Sequence, residues 1–98
     1  MSADELVAAR LAALAALDGA LDGTIANGGA LKRAWPAKGT GDPFLRRAFH
    51  EGLHLVVTRG ELERRIVLLV RRFLEEGGTL TAFDEAYDAL VREHADGQ

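Results

Sequence analysis

The sequence predicts an all-α fold, a small bundle of roughly four to five helices completed within the chain or by dimerisation. Three observations carry this. Apolar residues recur at steps of three and four along most of the 98 residues, and capping signatures and glycines punctuate the pattern at helical lengths. No run alternates with period two over a strand's length, residues 53–58 being the one β-branched candidate. A chain of this size buries roughly two thirds of the surface its unfolded form exposes, enough for one core. Residues 1–98 therefore read as a single domain: a helix plus a short helical turn over 1–35, a loop over 36–42, and a three-helix segment over 43–95.

Ser2 and Glu5 form a capping box ahead of a helix over residues 3–21. Val7, Leu11, Leu14, Leu17 and Leu21 give it an apolar stripe, and the alanines between them add propensity and permit close helix approach. Gly19 and Gly23 weaken its end, and Asn27-Gly28-Gly29 reads as a turn where positive φ is cheap. A short helical turn over 30–35 is stopped by Pro36. After the loop, Asp42 and Pro43 supply an N-cap and a proline at the first helical position of a helix over 43–57. Thr58 and Glu61 make a second capping box, so either a new helix starts there or one long helix bends at Gly60.

The following stretch continues to Glu76. Leu62, Ile66, Leu69, Val70 and Phe73 face one way, and Arg64, Arg65, Arg71, Arg72 and Glu75 form its wetted side. Gly77-Gly78 ends it as a left-handed C-cap. Thr81 with Asp84 opens the last helix, whose Phe83, Ala86, Tyr87, Leu90 and Val91 fit one apolar face, with the tail from Ala95 fraying.

Composition narrows the function classes. Hydrophobic residues make up 48% and charged residues 28%, a soluble balance. The absence of cysteine excludes disulfides, thiolate metal cages and a cysteine nucleophile. The longest apolar runs, 11–17 and 66–70, fall short of the roughly 20 residues a membrane span needs. No basic stretch precedes an apolar run at the N-terminus, so no secretory signal is expected and a cytoplasmic location is.

The net charge of −3 conceals segregation. Residues 1–29 carry one arginine against Asp4, Glu5, Asp18 and Asp22, residues 30–72 carry ten of the twelve basic residues, and residues 73–98 carry Arg92 against seven acids. The acidic last helix is expected to pack near the arginine-bearing middle. That same helix would repel phosphate, which argues against nucleic acid as partner.

One motif bears on chemistry. His50-Glu51-Gly52-Leu53-His54 matches H-E-x-x-H, and over these five residues it resembles the metal-binding helix of zinc peptidases. Residues four apart stack on one face of a helix, so His50 and His54 can share a zinc or other divalent metal ion, with Glu51 as general base. A third ligand is required, and Glu75, Glu76 and His94 are the available candidates. Peptidases of that kind pack the helix beneath a small sheet, which this chain lacks. Leu45, Ala48, Phe49, Gly52, Leu53 and Val56 form the apolar face of the segment, leaving His50, Glu51, His54 and Thr58 on the polar face as solvated residues on the simpler reading. The Glu51/His54 pair alone also matches half of a di-iron carboxylate site, which only a homodimer could complete.

Apolar residues surround the 58–76 helix more fully than a surface helix needs, Val67 and Leu68 joining the stripe, and Val7, Leu14 and Leu21 recur at seven. The expected function is therefore a small protein–protein interaction module, a regulator, inhibitor, adaptor or small subunit that self-associates, with no cofactor. Trp35, Arg64 and Arg71 are the candidate partner contacts. The alternative is a metal-binding helical protein, a zinc-dependent hydrolase through His50, Glu51 and His54. The balance leans away from an enzyme.

Overall fold

The computed structural model describes residues 3–36 and 41–97, which form five helices and no strand. These are α1 (Ala3–Asp22), α2 (Gly28–Ala34), α3 (Pro43–Thr58), α4 (Glu61–Glu76) and α5 (Leu80–Asp96). The α4 helix lies at the centre, packed against α1, α3 and α5, while α2 contacts α1 and α3. No helix among the described residues is long and apolar enough to cross a membrane. The cap expected at Ser2 and residues 37–40 of the expected loop lie outside the described residues.

The first helix forms where its periodicity places it but turns a different face inward. Ala9, Ala13, Ala16, Leu17 and Ala20 are its buried residues, whereas Val7 and Leu11 are 57% and 61% exposed. Alanines bring the backbone of α1 close to α3 and α4, so the leucine stripe is rotated toward the rim and only Leu17 belongs to both faces. Gly19 serves the same close packing: Ile25 folds back on it, its N–H donating to the Gly19 carbonyl at 2.9 Å.

Asn27-Gly28-Gly29 is not a positive-φ turn. Asn27 is the N-cap of α2, its side chain accepting from the Ala30 N–H at 2.9 Å, and both glycines are helical. Gly28 is required by proximity instead, since a Cβ there would lie 2.9 Å from Leu53 Cδ1.

Between α3 and α4 a new helix starts, as one of the two expected paths has it, but not through the Thr58 cap. Thr58 is the last residue of α3 and caps nothing, Arg59 takes the left-handed conformation at φ 55°, and Gly60 precedes α4 without a side-chain cap. A non-glycine residue in that region costs about 1 kcal/mol. The Arg59 guanidinium offsets this by donating to the Ala20 and Ile25 carbonyls, and Arg64 donates to the Leu21 carbonyl at 3.2 Å. The last turn of α1 carries no basic residue of its own, so two arginines from elsewhere satisfy its orphan carbonyls and oppose the negative end of its dipole.

The α4–α5 turn closes as expected at Gly77, with φ 72°, and Gly78 donates to the Phe73 carbonyl. The last helix starts two residues earlier than the Thr81 signature suggests. Thr79 caps it by accepting from the Ala82 N–H, which brings Leu80 against the core in register with Phe83 and Tyr87. It also runs on to Asp96 rather than fraying at Ala95.

Phe44, Phe73 and Phe83 join α3, α4 and α5, with ring centroids 5.4 Å apart for Phe44–Phe83 and 5.8 Å for the edge-on Phe73–Phe83 pair. The basic middle serves both acidic flanks: Arg47 meets Asp84 of α5 at 2.7 Å, and Arg71 meets Asp18 of α1 at 2.6 Å. Arg10 bonds the cap residue Asp42 at 3.2 Å and lies over the Phe44 ring.

Candidate functional site

The H-E-x-x-H segment occupies the middle of α3, and Gly52 sets its orientation. A Cβ at Gly52 would lie 2.9 Å from Leu17 Cδ2 and 3.4 Å from Leu31 Cδ2, so this point of α3 presses on α1 and α2. At roughly 100° per residue, the positions two before and two after it fall on the far side of the helix, about 40° apart. His50 and His54 are accordingly exposed and adjacent, their ring centroids 4.3 Å apart and tilted by 53°.

Glu51 departs from the expected polar face. It is only 4% exposed, whereas His50, His54 and Thr58 are exposed. Its cation partner is Arg47, whose Nε lies 3.9 Å away in an i, i+4 ion pair, and no buried side-chain oxygen among the described residues lacks a hydrogen-bond partner. Arg47 is itself held elsewhere: it pairs with Asp84 and lies over the rings of Phe83 and Tyr87, 5.2 and 4.8 Å from their centroids. The sequence reading missed Arg47. Its only signal was the i, i+4 spacing to Glu51.

One imidazole nitrogen from each histidine and one Glu51 oxygen all lie within 4.8 Å of one another, forming the metal-competent grouping among the described residues. None of the third ligands nominated from sequence joins it. Glu75 pairs with Arg71, Glu76 pairs with Arg72 at 3.5 Å, and His94 lies on α5 outside the grouping.

The nominated partner contacts are dispersed. Trp35 is half-buried and stacked on Phe49 at 5.4 Å, joining α3 to the end of α2. Arg64 and Arg71 both engage α1, at the Leu21 carbonyl and at Asp18. The Asp18 carboxylate pushes the Arg71 guanidinium still higher above its ordinary value, so it stays charged at every working pH.

Apart from Val57 on α3, the exposed large apolar residues line two grooves instead. One, of about 310 Å³, runs between α1 and α4 and is lined by Val7, Leu11, Leu14 and Leu74, with Arg10 and Glu75 at its edge. Both of those charges are spent inside the chain, on Asp42 and Arg71. The other, of about 480 Å³, is an open trough between α4 and α5. Leu68, Leu69, Ala86, Ala89 and Leu90 form its floor, Arg65 and Arg72 its α4 wall and Glu93 its α5 wall. Leu68 is 46% exposed. Neither Arg65 nor Glu93 has a side-chain partner among the described residues. Phe83 is the one fully buried residue of α5, so this peripheral helix leaves its alanine side open. Set against protein-family models, curated proteins and solved structures, the chain matches none.

Proposed function

We propose that this chain is a small helical protein–protein interaction module, of the regulator, inhibitor, adaptor or small-subunit kind, that pairs with a second copy of itself through the α4–α5 trough. The trough's apolar floor between walls of opposite charge carries this reading. A two-fold axis running along the hairpin sets α4 of each copy against α5 of the other. Arg65, and Arg72 beside its own partner Glu76, then face Glu93 and the exposed Glu85 two turns before it on α5, and every contact occurs twice. Leu68 and Leu90 supply the apolar centre, and burying a leucine contributes about 1.5–3 kcal/mol. The α1–α4 groove offers comparable apolar surface but no unspent charge to orient a partner.

Light scattering on the eluting protein tests this directly. The wild type is expected to approach twice its 10.5 kDa chain mass as concentration rises. Leu68→Glu is expected to remain at the single-chain mass with unchanged helical circular dichroism. A wild type that stays at the single-chain mass at millimolar concentration, or a Leu68→Glu protein that still pairs, would overturn it.

A further inference from the structure

We infer that His50, His54 and Glu51 bind one divalent transition-metal ion of the zinc, cobalt or nickel class on the outer face of α3, with Glu51 as the third ligand. This site is independent of the α4–α5 trough.

Two imidazole nitrogens and one carboxylate oxygen are the donor set that borderline divalent ions prefer. Bonds of about 2.0–2.1 Å in a tetrahedral arrangement place ligand atoms about 3.3 Å apart. The three donors here already lie within 4.8 Å of one another. Both imidazoles are exposed and free to turn, so side-chain rotation alone closes the difference.

Glu51 is the buried polar side chain of the core, 4% exposed, and it sits beside the two exposed imidazoles. A carboxylate more than nine-tenths buried is costly without a hydrogen-bonded or charged partner in contact. The charged partner of Glu51 is Arg47, a loose i, i+4 ion pair at 3.9 Å whose guanidinium also serves Asp84 and two aromatic rings. A bound cation would give this carboxylate a closer positive partner than the 3.9 Å guanidinium. In the zinc-peptidase helix the glutamate serves as base while a distant residue completes the ligand set; here no distant residue reaches the pair, and Glu51 is the carboxylate that does. The fourth position faces solvent and is left for water.

The test uses the full chain prepared without a histidine tag and stripped with chelator, titrated calorimetrically with zinc chloride. One ion per chain and a raised melting temperature are expected. His50→Ala and His54→Ala, both exposed and harmless to the fold, are each expected to weaken binding by at least about tenfold, and the isosteric Glu51→Gln by a similar factor. Absence of heat and of a melting shift at millimolar zinc overturns the site. So does unchanged stoichiometry and affinity in the His50→Ala/His54→Ala double variant, which would place the ion on surface acids. Wild-type affinity in a folded Glu51→Gln protein overturns the three-donor assignment.

Discussion

Replacing Arg47 by methionine keeps the aliphatic stem against Phe83 and Tyr87 but removes the guanidinium from three interactions. Its placement over the two rings, with the side chain 27% exposed, contributes about 1 kcal/mol. The 2.7 Å pair with Asp84, a half-exposed carboxylate, adds about 0.5 kcal/mol. Loss of the nearest cation to buried Glu51 costs about 1 kcal/mol more, at the low end for a buried charge because the contact is 3.9 Å and not hydrogen-bonded. Arg47→Met is thus expected to destabilise the fold by about 2.5 kcal/mol, or about 10–20 °C in melting temperature for a chain of this length. Urea denaturation followed by circular dichroism reads this as a lower midpoint at constant slope. Adding Glu51→Gln to Arg47→Met removes the stranded charge and is expected to restore about 1 kcal/mol. A single variant within about 0.5 kcal/mol of wild type, the range of an ordinary surface substitution, would refute the reasoning.

Three further outcomes follow from the fold. Arg59→Ala loses the bonds to the Ala20 and Ile25 carbonyls while keeping a side chain in the left-handed region, and Arg59→Gly is expected to be about 1 kcal/mol more stable than Arg59→Ala in parallel urea titrations. Gly52→Ala places a methyl against fully buried Leu17 and Leu31; overpacking outweighs the gain in helix propensity, for a net loss of about 1 kcal/mol by thermal denaturation. The Thr24 hydroxyl and N–H hold the Asp22 carboxyl below its ordinary value. Its contribution is therefore present above the usual carboxylate range and lost as pH falls through the lowered value. Asp22→Asn is expected to show a smaller drop in melting temperature between neutral and acid pH, and an equal drop in both proteins would count against it.

The helices were legible in the sequence because their stops are local: Asp42-Pro43 and Gly77-Gly78 act through the backbone of their own few residues. Less legible was which face each helix buries. In α1, leucine and alanine stripes share one period, and the choice between them depends on how closely α3 and α4 approach. Thr58 met a similar fate, since its capping signature is overridden by Arg59, whose partners lie in α1 and the segment after it. The exposed histidine pair was legible because four-residue spacing is a helical property. The burial of Glu51 was not, nor was the seat of its neighbour Arg47, which is drawn to Asp84, Phe83 and Tyr87 across a gap of about forty residues. The trough also escaped the sequence reading. Leu68 was grouped with the core stripe, and only the peripheral seat of α5 leaves it open.

Pairing across the α4–α5 trough is tested most directly by charge reversal in two separate chains. Arg65→Glu/Arg72→Glu makes α4 acidic, and Glu85→Lys/Glu93→Lys makes α5 basic. Under the proposed two-fold arrangement each variant alone opposes like charges and is expected at the single-chain mass. Their mixture sets acidic α4 against basic α5 at one contact and wild-type α4 against wild-type α5 at the other, so light scattering should recover twice the 10.5 kDa chain mass. A mixture that stays at the single-chain mass, or either variant pairing with itself as readily as wild type, would contradict the account.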